Sequence, residues 1–423
     1  MKIFSQLKQA LSQTALPDLQ GKDYVQLQVQ AKQSLSGSEL LGWLGAKSAY
    51  PHFFWQQRED ECTLLASGAV EAFSSLASAQ AFSQAHGLAL VGGLQFNNQA
   101  SFILPRLLLV KKGPILTACL TLKASEIASI EDFLADFEEL ASLQTGQNTL
   151  LNQHALCNFE RWQANIGQAI QGMAQKAFNK VVLANATELT FAQPLCPYSL
   201  LNASQAKNPH SYHFLWAENK ERAFIGSSPE RLYARTGHHL QTEALAGTVA
   251  VGENEAQSQA NADWLLHDLK NSYENWLVVE EIQENLVELV KDIEVSDLQI
   301  KRLSLVQHLY RSIQAHLEPG VQDNQILAHL HPTAAVAGIP YQSAFDFIQA
   351  VEPFERGWYA GTLGYFSPQA AEFCVTIRSA QLQANQARVY AGAGIVEGSE
   401  PETEWREIER KALAMIQLFN HNH

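Results

Sequence analysis

Residues 371–411 read AEFCVTIRSAQLQANQARVYAGAGIVEGSEPETEWREIERK, and their punctuation decides the fold class. Apolar runs near 371–380 and 387–392 predict two strands, with a further strand near 357–366. Ser399-Glu400-Pro401-Glu402 then combines a capping box with a first-turn proline, the start signal of a last helix. Strand after strand with hairpin-like spacing, closed by a helix, lacks the regular rhythm of parallel βαβ units. The reading is α+β, with antiparallel or mixed sheets and helices outside.

Upstream segments agree. SYHFLWAENKERAFIGSSPE reads as two strands around the polar turn Glu218-Asn219-Lys220-Glu221. KVVLANATELTF (180–191) is strand-like and follows a helix-like segment that starts after Asn158. Amphipathic spacing predicts one long helix over about 258–290 and two more over 303–317 and 343–351. Before residue 150, FILPRLLLV (102–110) and LALVGGLQF (88–96) are strand-like and EIASIEDFLADFEELASL (126–143) is helix-like.

Composition narrows the function. A length of 423 residues permits two or three domains or one large unit. A net charge of −14 argues against a nucleic-acid binder, yet a local arginine or metal can still hold an anionic substrate. The cysteines at 62, 119, 157, 196 and 374 lack CxxC spacing and read as reduced thiols of a cytoplasmic protein. MKIFSQLKQALSQ carries a helical apolar stripe without a continuous apolar core, so it is not read as a signal peptide. No apolar run suggests a membrane span.

Several polar residues could carry chemistry. Glu404 and Glu407 lie three apart, on one face of the last helix. Near a helix N-terminus, carboxylates are favoured in any case, so a solvated acidic face is the default. Glu274 lies in DLKNSYENWLVV, at the edge of a stripe of Leu266, Leu269, Tyr273, Leu277 and Val278, and a solvated Glu is again the default. Carboxylates from two helices could hold a hard cation such as Mg²⁺. Lys180 opens an apolar strand; at the surface it would snorkel, whereas burial would lower its pKa and suit a general base. Glu230 follows the turn-like GSSP, and near a second carboxylate its pKa would rise, as a general acid requires. LAGT (245–248) and YAGAGIV (390–396) lack a phosphate-loop form and suit close backbone approach or tight turns. Arg378, within an apolar strand, needs a carboxylate partner from the protein or from a substrate.

The order of the segments adds a resemblance. KVVLANATEL, FIGSSPERL, TEALAGTVA, DLKNSYENWLVVEEI, LVQHLYRSI, LHPTAAVAGIP, EPFERGWYAGTLGYF, FCVTIRSA and YAGAGIVEGSEPETEWREIERK occur in sequence between 180 and 411. Together they resemble the chorismate-binding enzymes, which include isochorismate, salicylate, anthranilate and aminodeoxychorismate synthases. The likeness covers about 158–418, with a looser echo in VGGLQF and FILPRLLL.

The resemblance implies a large two-sheet sandwich with helices on the outside. Residues 1–157 would be an integral half, 158–418 the catalytic region and 419–423 a tail. It implies Mg²⁺ held by Glu274 and Glu407 with help from Glu404, Lys180 activating a water, and Glu230 protonating a departing hydroxyl. Tyr359, Arg378, Gly392 and Gly394 match a carboxylate clamp; Gly247, Thr248 and His308 match the ring site. Arg231, beside Glu230, is expected to point away, because an inward guanidinium would lower the pKa of Glu230.

Ala246 stands where the aminodeoxychorismate branch has a nucleophilic lysine, which disfavours amination. GSSPERL, TEALAGTVA and EPFERGWYAG look most like the branch that isomerises chorismate to isochorismate for menaquinone biosynthesis. Salicylate formation, and binding without catalysis, are the alternatives. Two positions depart from the family pattern. Asn185 replaces an Arg on the strand face opposite Lys180, and Asn275 replaces a frequent His after Glu274. The implied partner is small-molecule chorismate, with the chain a monomer or homodimer, bound to neither nucleic acid nor membrane.

Overall fold

The computed structural model describes residues 2–15, 21–33, 35–143, 148–303 and 306–419. Every strand pairing in it is antiparallel. One run of neighbours passes from Tyr24–Lys32 through Ile115–Lys123, Ala100–Lys112, Cys62–Phe73 and His52–Gln56 to Tyr212–Ala217. It continues through Arg222–Ser228, Ser379–Gln383, Gln386–Ile395 and Lys180–Phe191 to Leu150–Ala155. A second run leaves the Ala100 end of Ala100–Lys112. It passes through Leu90–Leu94, Thr362–Phe366, Ala370–Val375, Arg231–Thr236 and His239–Ala250 to Val306–Leu317.

The period-2 alternation of strands explains the layering. In His52–Gln56, Phe53 and Trp55 enter one hydrophobic cluster and Phe54 enters the other. Phe214 and Trp216 likewise separate from Leu215, and Phe224 from Ile225. The first run is therefore covered on both faces. One face meets the second run of strands; the other packs against helices such as Lys2–Gln13, Gly37–Gly45 and Pro197–Lys207. That is the expected α+β sandwich with external helices.

The strand Lys180–Phe191, the hairpin Tyr212–Ala217 to Arg222–Ser228, and the helices Phe159–Ala174 and Tyr341–Val351 follow the sequence reading. Other elements differ, each for a local reason. Residues expected as a helix over 303–317 form the strand Val306–Leu317. Its apolar residues satisfy both periods, and pairing with His239–Ala250 and Val290–Val295 selects the extended form.

The long helix is two, Glu255–His267 and Leu269–Leu286. Asp268 is extended and its side chain accepts the Asn271 N–H, capping the second helix. Leu269 and Tyr273 are 85% and 51% exposed, so the buried stripe runs through Leu277, Val278 and Ile282 instead. Residues 126–143 hold only the 3-10 turn Ala124–Ser129 and the short helix Ile130–Phe133.

Arg378 lies in the link between Ala370–Val375 and Ser379–Gln383, not inside a strand, and adopts the left-handed region at φ 51°. The last helix, Pro401–Phe419, keeps its first-turn proline, while the Ser399 hydroxyl accepts the Val396 N–H within the preceding loop. That helix runs through Phe419, buried and stacked on Phe191, one residue beyond the expected catalytic region. Residues 420–423 lie outside the described residues.

Candidate active site

Strands from both runs, the helix Leu269–Leu286 and the last helix enclose one cavity. Glu230, Gly247, Thr248, Glu274, His308, Tyr359, Arg378, Gly392, Gly394 and Glu407, ten of the residues singled out in the sequence, line it. Lys180 and Glu404 are the two that stand just beyond the lining. Lys180 is fully buried, and its Nζ lies 3.2 Å from Glu274 Oε1 without making a well-directed hydrogen bond. It is therefore neither snorkelling nor fully satisfied. Ile339, in the short strand Gly338–Ile339, pairs with Lys180 and closes off its backbone.

The carboxylates each carry a lysine. Glu404 Oε1 accepts from Lys270 Nζ at 2.6 Å, and Glu407 Oε1 from Lys411 Nζ at 2.5 Å. Burial, then repulsion from Glu407, raise the Glu404 pKa despite Lys270. Burial would raise Glu407 as well, but Lys411, together with Lys270 and Arg410, outweighs it and holds that carboxylate below its ordinary value. Among the described residues, no three acidic, imidazole or thiol groups are already drawn together as a metal cluster. Lys270 and Lys411 escaped the sequence reading; the i,i+4 spacing of Glu407 and Lys411 was the available signal.

Glycine makes the crowding possible at two points. A Cβ on Gly394 would stand 2.2 Å from Glu274 Oε1, and one on Gly392 would stand 2.8 Å from the Tyr359 hydroxyl. Lys411 Nζ also donates to the Gly392 carbonyl at 2.9 Å. Tyr359 stacks on Tyr390 with ring centres 4.8 Å apart, and burial pushes its hydroxyl up to about 12.

The Arg378 guanidinium has no carboxylate within ion-pair distance among the described residues. Burial lowers its pKa, with Glu407, Tyr359 and Glu230 opposing that trend. At the positions expected to form the ring site, the pairing of His239–Ala250 with Val306–Leu317 shifts register between Ala246 and Thr248. Gly247 occupies the bulge at φ 83°. Beyond it, Thr248 Oγ1 lies 3.0 Å from His308 Nδ1. Burial, then Arg378, hold His308 well below its usual pKa, so its ring is neutral.

Glu230 sits in the link between Arg222–Ser228 and Arg231–Thr236 and is 4% exposed. Burial, reinforced by the Glu243 charge, pushes its pKa up to about 8, so the carboxyl is protonated near neutrality. Arg231 does point away: it donates to the Tyr212 hydroxyl at 2.8 Å and to Glu372 at 3.1 Å.

Asn185 brackets Cys157, donating to its carbonyl at 2.8 Å and accepting its N–H at 3.0 Å, on the face opposite Lys180. Asn275 aims at the carbonyls of Ala244, Ala246 and Leu309 around the bulge and not at the carboxylates.

The sequence pattern of the chorismate-binding enzymes matches residues 93–420. The chain belongs to the chorismate-binding enzyme family. It is 44% identical over 394 residues to the isochorismate synthase MenF of Haemophilus influenzae, covering 92% of this chain and 91% of that one. The solved structure of MenF, the menaquinone-specific isochorismate synthase from Escherichia coli, superposes with a TM-score of 0.91 at 38% identity over 99% of both chains. Anthranilate synthase component I from Streptococcus pneumoniae shares the fold alone, at a TM-score of 0.63 and 17% identity, over 95% of this chain and 94% of that one. The family match begins well before residue 158, in the region where the sequence held only an echo.

Proposed function

We propose that this chain is an isochorismate synthase, a hydroxymutase that reversibly converts chorismate into isochorismate, acting in the cytoplasm for menaquinone biosynthesis. The isomerisation adds water at C2 of the ring and expels the C4 hydroxyl, so it needs a base and an acid at one ring. Glu230 carries the proposal: a carboxyl held protonated near neutral pH, bordering the same cavity as Glu274, the partner of buried Lys180. In this reading Lys180, once its paired ammonium has given up a proton to become the free amine, takes a proton from the attacking water, and Glu230 Oε–H donates one to the leaving hydroxyl, which departs as water. The product is an isomer of the substrate, and no oxidant or reductant is consumed.

The charge balance supports a dicarboxylate substrate with a divalent cation. Glu274, Glu404 and Glu407 are matched by Lys180, Lys270 and Lys411. A dianion and a dication can then enter together without net charge. The donor set fits Mg²⁺: it is all oxygen, Glu404 feels the repulsion of Glu407 and Glu274, and Gly394 leaves room for the Glu274 carboxylate. Glu274 and Glu407 would hold the ion, with Glu404 beside them, and the ion would neutralise the ring carboxylate. Arg378, lacking a carboxylate partner among the described residues, and Tyr359 are assigned to the side-chain carboxylate. Gly247, Thr248 and neutral His308 border the ring.

Residues 1–157 are taken as an integral half of the enzyme, because Arg58 reaches Glu243 and the strand Leu90–Leu94 joins the second run. The test is product identification by chromatography after incubating the protein with chorismate, with Mg²⁺ and with excess chelator. Isochorismate formed only with the metal supports the assignment. Salicylate plus pyruvate moves the chain to the neighbouring branch, and absence of any product favours a non-catalytic binder.

A further inference from the structure

Glu230 is held at every backbone group. Its N–H donates to Ser228 Oγ at 3.2 Å, and its carbonyl accepts the Val375 N–H at 3.1 Å. The flanking peptides converge on one buried carboxylate, Glu243, which is 3% exposed and does not line the cavity. The Arg231 N–H donates to Glu243 Oε1 at 2.8 Å. The Pro229 carbonyl accepts from Arg58 Nη1 at 3.1 Å and from Lys301 Nζ at 2.8 Å. These same two cations also reach Glu243 Oε1, at 2.7 Å and 3.3 Å.

We propose that Glu243, with Arg58 and Lys301, is the positioning centre of the reaction: it fixes the Glu230 backbone and, through its charge, keeps the proton on Glu230. This rests on the isochorismate synthase reading. Arg58 comes from the loop between His52–Gln56 and Cys62–Phe73, so the N-terminal half takes part in setting the acid.

Two properties fit the role. Burial alone would raise the Glu243 pKa, but Lys301 and Arg58 outweigh it and keep the group charged. A permanent negative charge behind Glu230 then opposes its ionisation, adding to burial. A neutral anchor could grip the same peptides without that effect. The other charged groups acting on Glu230 are cations, Lys180 on its strand, Lys411 on the last helix and Arg378 in the inter-strand link, while neutral His308 and the carboxylates Glu274 and Glu407 border the same cavity.

The test is the pH dependence of kcat/KM for chorismate conversion, from about pH 5.5 to about pH 9.5. The wild type should lose activity as pH rises through about 8, the Glu230 value. Glu243→Gln keeps an acceptor for the Arg231 N–H and removes the charge. Its alkaline limb should move down by about one unit or more, a loss of roughly fivefold or more at pH 8 that is regained near pH 6. Lys301→Met removes a cation that acts on Glu230 directly, leaves Arg58 to keep Glu243 charged, and should move the limb the other way.

Limbs that stay in place, with rate lost equally at all pH, mean a structural anchor and overturn the inference. If Glu243→Gln fails to fold, Lys301→Met decides alone: an upward shift supports the inference, an unmoved limb overturns it. A wild type that forms no isochorismate overturns the functional reading and this inference with it. An active wild type whose variants keep its limb overturns the inference alone.

Discussion

The Lys180 ammonium, sealed from solvent, lies 3.2 Å from the Glu274 carboxylate, which borders the cavity. One pair thus joins the residue assigned to proton abstraction with a residue assigned to the cation. Removing one partner of a buried pair leaves an uncompensated charge, at about 3–5 kcal/mol. Lys180→Met should lower kcat by about 10²–10⁴-fold. Thermal melts should show a loss of stability that Lys180→Met/Glu274→Gln largely restores, with no return of activity. Recovery of both together would contradict the assignment.

Glu230 trades stability for its proton. Its folded pKa, about 8, lies above the ordinary carboxyl value of 4.5. Its stabilising contribution is complete below the unfolded value and is lost as pH rises through the folded one. Near pH 7.5 the unfolded chain ionises freely while the folded site resists, a cost on the order of 3 kcal/mol. Glu230→Gln should therefore raise Tm at pH 7.5, leave it little changed at pH 4.5, and abolish turnover. An equal change in Tm at both pH values would refute the electrostatic account.

Gly394 tests the cation assignment by binding alone. A Cβ there meets Glu274 Oε1, whereas one on Gly398 meets nothing within 4 Å. Gly394→Ala should weaken Mg²⁺ binding, read by calorimetry, by about tenfold or more, as displaced ligand geometry typically does. Gly398 has φ 84°, so Gly398→Ala carries backbone strain and serves only to show what strain alone does. Equal Mg²⁺ affinity in both variants and the wild type would remove Glu274 from the metal site.

Arg378 separates binding from folding. Its guanidinium is desolvated without a carboxylate partner among the described residues, so the fold gains little from its charge. Arg378→Met should raise KM for chorismate by about 10–100-fold, the worth of a charge-assisted hydrogen bond, and leave Tm unchanged or higher. A large fall in Tm with unchanged KM would make it a structural residue.

Much of this was legible in the chain itself. Lys180, Glu230 and Glu274 are embedded in ordered motifs whose strand and helix settings the structure reproduces. Arg58 carried no such signal: it reaches Glu243 across 185 positions, and no local pattern announces a contact of that separation. Lys301 and Glu243 likewise meet only because Gln299–Arg302 and His239–Ala250 both flank Val306–Leu317. That central strand was itself misread as a helix. Leu309 and Ile313 recur at helical spacing, while Ile313, Ala315 and Leu317 alternate as a strand requires, so long-range pairing had to arbitrate. Asp268 broke the long helix because an acceptor three residues before an amide can cap as readily as it can lie exposed.

The central claim is that water enters at C2 as the C4 hydroxyl leaves. Incubation of the protein with chorismate and Mg²⁺ in ¹⁸O-labelled water, followed by mass spectrometry of the product, tests it directly. The account predicts isochorismate carrying one labelled oxygen, at the C2 hydroxyl, and none in the Glu230→Gln control, which should form no product. Unlabelled isochorismate would mean internal transfer of the original hydroxyl and would contradict the roles given to Lys180 and Glu230.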